Sequence, residues 1–168
     1  TTTTGGGNIA IGYETMRFST GAENVSIGMD SMENSGPAGL TVSVGSNAGR
    51  YATGSYNTFV GGYAGQGGTT SAPYSSGELN VGVGYQALKA FTTGYRNTAL
   101  GYKAGVALNS GYSNVLIGYE GAEGVTSGYE NVVVGANPSQ ANLQQSTLIG
   151  FNAGKEGIAH NVVGVGYK

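Results

Sequence analysis

The sequence predicts an all-β protein, a parallel β-solenoid in which one short unit is stacked about ten times. Three observations predict this class: a period near 17 residues, a glycine that closes each unit, and alternating residue types before that glycine. The unit is clearest as GxxN[VT]x[VIL]GYx[AG], which starts at Gly77, Gly94 and Gly111, with a variant copy at Gly128. Such units stack because one unit cannot bury its apolar face alone. We therefore expect a single solenoid domain over residues 1–168.

The composition agrees with a regular repeat. The 168 residues include 33 glycines and 12 tyrosines, and only 10% of them are charged. Glycine at this density disfavours helix, because each one costs about 0.5–1 kcal/mol there. Collagen is excluded because glycine does not recur at every third residue. The 39% of hydrophobic residues fall at periodic positions, which disfavours disorder.

Charge and cysteine content limit the partners and cofactors. The net charge is -2 and the seven Lys and Arg residues are scattered, so we expect no nucleic-acid partner. Cysteine is absent, and the single Asp and single His, His160, recur in no register, so we expect neither metal nor cofactor. No apolar run approaches the roughly 18 residues of a membrane span, so we expect no membrane insertion.

The glycine that closes each unit, called the marker glycine here, sets the register. It stands at Gly12, Gly28, Gly45, Gly61, Gly84, Gly101, Gly118, Gly135, Gly150 and Gly166. The one large spacing, 23 residues, separates Gly61 from Gly84. The segment GQGGTTSAPYSSG, residues 65–77, accounts for it and is predicted to be a protruding loop because it is rich in Gly, Ser, Thr and Pro.

The residues before each marker glycine predict a strand with one buried face. The residue directly before it is aliphatic, and the residue two positions earlier is Val, Ile or Thr, in all ten units. The residue between them varies. We therefore expect regular positions such as Val25 and Ile27 to face the core, and middle positions such as Ser26 to face away from it.

Two polar or small positions specify the turns. Asparagine stands four residues before the marker glycine in seven units, and we predict that these side chains form a hydrogen-bonded ladder. They are Asn8, Asn24, Asn57, Asn80, Asn97, Asn114 and Asn131. A second glycine precedes the asparagine by three residues, and we predict a left-handed backbone for it. After the marker glycine, small residues such as Ala48 and Ala104 predict a second short strand approached closely by another backbone.

The unit Asn-x-[Val/Ala]-x-Gly resembles the head repeats of trimeric autotransporter adhesins, for example in residues 8–12 and 24–28. The segment 97–104, NTALGYKA, together with the connection Thr92-Thr93-Gly94, resembles the repeats of bacteriophage tail fibres even more. The resemblance covers essentially the whole chain. It implies a left-handed parallel β-roll, three of which associate into a homotrimeric fibre on a virion or on a cell surface.

A thin core also favours self-association, because a roll with two inward side chains per coil leaves small-residue and tyrosine faces partly wet. We expect a structural fibre segment that mediates or presents attachment to a host or another surface, and no enzyme. A self-assembling extracellular filament is an alternative, because the chain begins and ends within a unit. A glycan depolymerase is a second alternative, which would need paired acids; Glu120, Glu123 and Glu130 are the nearest group.

The tyrosines recur in two predicted ladders. One follows the marker glycine and contains Tyr85, Tyr102 and Tyr119, joined by Tyr13, Phe151 and Tyr167. The other contains Tyr95, Tyr112 and Tyr129, in the turn before the asparagine. The rings either stack on one another and on neighbouring chains, or form an exposed strip for sugar rings. If a cell-surface glycan or protein receptor binds, we expect it on Tyr95, Tyr112 and Tyr129, near the inserted loop.

Overall fold

The computed structural model describes residues 5–136, 143–153 and 160–166 and confirms an all-β parallel solenoid with a period of about 17 residues. Ten strands of three residues form one parallel sheet in chain order, so that nine turns of the solenoid join them. The strands are β1 (Ile9–Ile11), β2 (Val25–Ile27), β3 (Val42–Val44), β4 (Thr58–Val60), β5 (Val81–Val83), β6 (Thr98–Leu100), β7 (Val115–Ile117), β8 (Val132–Val134), β9 (Thr147–Ile149) and β10 (Val163–Val165).

The inserted loop leaves this register unchanged. Thr58 of β4 pairs with Val81 of β5, just as Val81 pairs with Thr98 of β6. The loop is shorter than residues 65–77, because the backbone of Gly68 still donates to Phe91 of the next coil and Ser75 already forms a bridge with Ala52. Only the residues between Gly68 and Ser75 leave the coil, and we conclude that the solenoid accommodates them as a side excursion.

The strands face the opposite way from the sequence prediction. The middle residue is buried, as Phe59, Leu116 and Val133 show, whereas the flanking positions lie on the outer surface, where Leu100 is 47% exposed. The prediction that the flanking positions face the core was wrong. The reason is the polar residue before the strand. Side chains alternate along a strand, so the buried Asn, Thr or Ser that precedes each of the strands β2 to β9 places the middle residue inside and its two neighbours outside.

The predicted second strand is also wrong for the described residues, because the chain makes overlapping turns after the marker glycine. In the sixth coil, Ala104 N donates to Gly101 O and Val106 N donates to Lys103 O, at 3.3 and 3.1 Å. Lys103 has a φ of 53°, and the same alternation of positive φ recurs along the solenoid. A positive φ at the third of the four residues in a turn is the signature of a type II turn. The buried alanines of this segment fill the interior opposite the sheet.

Glycine is required three residues before the asparagine for a different reason from the one predicted. None of these glycines has a left-handed φ, so that prediction was wrong. A Cβ built on Gly77 would lie 2.0 Å from Gly94 O, and one built on Gly54 would lie 2.2 Å from Gly77 O. Glycine is therefore required because two successive backbones approach each other too closely for any side chain.

The interior changes in character along the axis. In the first three coils, hydroxyl groups share it with the buried Met16, Met32 and Ala38. The hydroxyls of Thr15 and Ser26 are hydrogen-bonded at 2.8 Å, and Ser26 Oγ donates to Ser31 Oγ at 2.8 Å. From the fourth coil onward the interior is hydrocarbon, with the rings of Phe59 and Phe91 in contact at 5.4 Å between centroids. Both zones keep the same strand register.

Ser43 stands where these zones meet, and its buried Oγ has no hydrogen-bond partner among the described residues. We expect Ser43→Ala to stabilise the chain by about 1 kcal/mol, because it removes a desolvated hydroxyl that forms no bond. Ser26→Ala is the matched control and is expected to destabilise the chain by about 1–2 kcal/mol, since it removes bonds to Thr15 and Ser31. Urea unfolding followed by circular dichroism measures both changes; a loss of stability in Ser43→Ala equal to that of the control would contradict the assignment.

Candidate functional site

A column of asparagines runs through the solenoid beside the sheet. Asn114 Nδ2 donates to Asn97 Oδ1 at 2.9 Å and to Gly128 O at 2.8 Å. Its Oδ1 accepts from the backbone N and from Nδ2 of Asn131, at 3.2 and 2.8 Å. Every polar atom of this buried amide is thus satisfied within the chain, which makes the column architectural.

The other members of the column occupy the same place. They are Asn8, Asn24, Asn57, Asn80, Asn97 and Asn131. Hydroxyl residues interrupt the column: Thr41 Oγ1 accepts from Asn57 N at 3.4 Å, and Ser146 Oγ accepts from Val162 N at 3.3 Å. Each hydroxyl also donates to the carbonyl two residues before it, to Gly39 O at 3.3 Å and to Gln144 O at 2.9 Å, so it keeps the acceptor role but makes fewer bonds than the asparagine.

The outer surface of the sheet, called the sheet face here, is uncharged along its whole length. Of its twenty side chains seventeen are aliphatic and three are threonine. They are Ile9, Ile11, Val25, Ile27, Val42, Val44, Thr58, Val60, Val81, Val83, Thr98, Leu100, Val115, Ile117, Val132, Val134, Thr147, Ile149, Val163 and Val165. Sequence reasoning assigned these positions to the core and so missed this surface, although the alternation that starts at the buried asparagine could have revealed it.

The tyrosines predicted as a binding strip form a stack, called the turn ladder here. The rings of Tyr95 and Tyr112 are parallel to within 6° at 5.1 Å, and those of Tyr112 and Tyr129 are parallel to within 4° at 5.0 Å. Both faces of Tyr112 are therefore covered, and the ladder presents ring edges along its side. Tyr129 OH donates to Gln144 Oε1 at 3.0 Å. A ligand that stacks on a ring face is therefore restricted to the two ends of the ladder, Tyr95 and Tyr129.

The electrostatic setting keeps Tyr112, the middle residue of the turn ladder, neutral. Partial desolvation, then the Glu130 carboxylate and the two flanking tyrosines, raise the pKa of the Tyr112 phenol above its ordinary value. A phenol with a raised pKa stays protonated through the neutral pH range. Tyr112 therefore offers a hydroxyl group and no phenolate.

A second stack, called the marker ladder here, contains the tyrosines that follow the marker glycines. Tyr85, Tyr102 and Tyr119 are stacked at 5.7 and 5.1 Å, and Tyr63 meets Tyr85 edge-on at 5.9 Å. Lys103 Nζ lies 5.3 Å from the centre of the Tyr102 ring. Tyr13 and Phe151 occupy the same position in other coils, and Tyr167 lies outside the described residues.

Among the clefts on the described part of the surface, two have a volume of about 290 Å³ each. The first, the Tyr95 cleft, lies at the end of the turn ladder and is lined by Ser76, Glu78, Leu79, Thr93, Tyr95 and Arg96. Ser76 belongs to the predicted loop segment but has already returned to the coil, where its backbone N donates to Thr92 O at 2.8 Å, so the cleft lies beside the end of the loop. The second cleft lies between Phe18, Asn34, Gly36 and Tyr74.

Most acidic side chains have structural partners. Glu33 Oε2 lies 2.6 Å from the Arg50 guanidinium, Glu120 lies 3.7 Å from Lys103 Nζ, and Glu130 accepts from Gln145 Nε2 at 2.9 Å. Glu120 and Glu130 occupy different positions of the repeat and contact different neighbours.

The described residues contain neither a metal-binding cluster nor a membrane-spanning helix. Within residues 5–136, 143–153 and 160–166, no group of three or more His, Cys, Asp and Glu could hold a metal ion. No helix in the same ranges is long and apolar enough to cross a membrane. His160 is exposed and forms a backbone bridge with Gln144.

Comparisons with protein-family models, with curated proteins and with solved structures found no match to this chain. The features of the chain that bear on its function are therefore the sheet face, the two tyrosine ladders and the clefts described above.

Proposed function

We propose that this chain is a structural segment of a fibre that assembles side by side with copies of itself. The proposed assembly is a homotrimer of left-handed solenoids, in a phage tail fibre on a virion or in an extracellular adhesin on a cell surface. Its proposed role is to mediate or present attachment, without catalysis. The observation that carries the proposal is the sheet face.

The sheet face has the length and chemistry of a self-association surface. Ten strands at a spacing of about 4.8 Å and three residues of about 3.3 Å each give a strip of roughly 48 by 10 Å. A projected area near 480 Å² lies in the upper part of the range of apolar patches on monomers, about 300–600 Å². Because the strip contains no charge, burying it leaves no ion unpaired.

The direction of the strip favours a closed assembly. It runs parallel to the solenoid axis, because the strands stack in chain order with constant register. Copies related by rotation about a parallel axis can therefore all turn the same strip toward the centre, which closes the assembly. The uniform strip length also makes adjacent copies equal partners.

The two alternatives predict different results. A filament that grows end to end would appear as long threads in electron micrographs of the purified protein. A depolymerase would release oligosaccharides with new reducing ends from bacterial surface polysaccharides, for which the nearest acids offer poor support because Glu120 and Glu130 have separate partners.

A lysine on the sheet face tests the proposal. We expect Val115→Lys to dissociate the assembly, because each copy would bring one ammonium group into the apolar centre at a cost of several kcal/mol. Val106→Lys is the matched control: it lies on the turn segment, and the equivalent position of the preceding coil is already a lysine, Lys89. Light scattering after size exclusion should give a multiple of 16.8 kDa for the wild type and the control, and a smaller mass for Val115→Lys. A folded wild-type monomer of 16.8 kDa would overturn the proposal.

A further inference from the structure

We propose that the Tyr95 cleft binds one neutral sugar ring of a surface polysaccharide. This inference deepens the attachment role and rests on it in one respect: the sugar belongs to the surface to which the fibre attaches. It does not depend on the assembly through the sheet face.

The aromatic wall comes from the end of the turn ladder. Tyr112 covers one face of Tyr95, at 5.1 Å and 6°, whereas the coil before Tyr95 has Glu78 in the equivalent position. The ladder therefore ends at the cleft, where Tyr95 remains 39% exposed. Stacking on Tyr112 holds the terminal ring in one orientation, and Leu79 supplies a second apolar wall. The Arg96 guanidinium lies over this ring at 5.8 Å, but the Arg96 side chain is exposed and a sugar can displace it. The ring is then a suitable platform for the apolar C–H face of the sugar.

The polar groups of the cleft form no ion pair and no side-chain hydrogen bond among the described residues, and the Arg96 guanidinium lies over the Tyr95 ring, 5.8 Å from its centre. Arg17 and Arg50 each have a carboxylate within 2.9 Å, but Arg96 has no carboxylate partner among the described residues, although Glu78 lines the same cleft. The Glu78 carboxylate and the Thr93 hydroxyl likewise form no side-chain hydrogen bond within the described part of the chain. The backbone N of Arg96 donates to Glu78 O at 3.0 Å, which holds both residues in place.

The polar groups that line the cleft indicate which class of ligand it binds. The guanidinium donates only and the carboxylate accepts only, so a ligand must offer acceptors and donors together. Sugar hydroxyl groups do both. An anion would meet Glu78 and a cation would meet Arg96, so a neutral ring fits best. The volume of about 290 Å³ is close to the lower limit of about 300 Å³ for small-molecule sites, which suits one sugar unit at the surface.

The test measures saturation transfer by NMR from the wild-type protein to the methyl glycosides of glucose, galactose and mannose. A second arm uses dextran, galactan and mannan, to separate a free sugar from a chain unit. We expect transfer to at least one sugar, and a loss of affinity of about tenfold or more in Tyr95→Ala. Tyr119→Ala is the matched control, because Tyr119 ends the marker ladder, is 57% exposed and does not line the cleft.

The outcomes separate the two proposals. Absence of transfer to every sugar and polymer, unchanged affinity in Tyr95→Ala, or equal losses in Tyr95→Ala and Tyr119→Ala would each overturn the sugar site. If circular dichroism shows that Tyr95→Ala is unfolded, Arg96→Ala takes its place, since it changes only an exposed side chain. The mass of each sample is measured as well: an intact oligomer that binds no sugar overturns the site alone, whereas a monomer that binds sugar overturns the assembly alone.

Discussion

Asn114→Val is expected to destabilise the folded chain by about 2–5 kcal/mol, although valine fits the space with little change in volume. The substitution removes four hydrogen bonds made by one buried side chain. Two groups lose their partner in the ladder: the backbone N of Asn131, and Gly128 O. Each buried group left without a hydrogen bond costs about 1–3 kcal/mol.

The matched variant is Asn114→Thr, because Thr41 and Ser146 show that a hydroxyl can accept from the next coil. We expect it to lose about half as much stability as the valine variant. Urea unfolding followed by circular dichroism measures both. Equal losses in the two variants would mean that packing, and not hydrogen bonding, sets the role of the column.

Gly101→Ala is expected to cost at least about 4 kcal/mol, since two effects act at this position. Gly101 has a φ of 131°, where an L-residue is strained, and a Cβ built there would lie 2.3 Å from Gly118 O. That oxygen belongs to the backbone of the next coil, so the clash is relieved only if two coils move apart. Pairing between β6 and β7, which end next to these two glycines, would be lost first.

Gly121→Ala provides the control for Gly101→Ala. Its φ is not left-handed, a Cβ there would meet its nearest atoms at an ordinary 3.5 Å, and the equivalent position of the two preceding coils is alanine, Ala87 and Ala104. We expect a change within about 1 kcal/mol, of either sign. Thermal unfolding monitored at 218 nm, roughly the β-sheet minimum, compares the variants. Comparable losses in both would show that the repeat tolerates no added methyl group anywhere.

The sequence predicted where each strand lies but not which way it faces. Period, marker glycines and asparagines are visible in the letters, and the paired strands follow the same register. The same pattern does not show which face of a three-residue strand is buried, because both of its faces carry apolar or small residues. The regular Val, Ile and Leu residues at the flanking positions are typical of a core, and this pattern led to the wrong prediction. The middle positions fill the interior with residues of different sizes, such as Ser26, Phe59 and Gly82, according to the local space.

The candidate site was predictable to a similar extent. The register places Tyr95, Tyr112 and Tyr129 in one column, and their proximity to the loop follows from the spacing of the units. The covering of Tyr112 on both faces depends on side-chain rotation, which periodicity does not encode. The cleft forms because Glu78 stands where a fourth tyrosine of the ladder would be. This departure from the repeat can be interpreted only after the structure shows that the ladder ends there.

The single parallel sheet also determines how a fibre of this chain bears load. Every bond between successive strands lies along the axis, so axial tension pulls directly on it, and an end coil is held on one side only. Under tension the chain would release one coil at a time. Release of a coil of 17 residues adds about 55 Å of extended chain, at roughly 3.3 Å per residue, and release of the coil of 23 residues adds about 75 Å. Stretching would thus dissipate mechanical energy in small, nearly equal steps while the remaining coils stay folded.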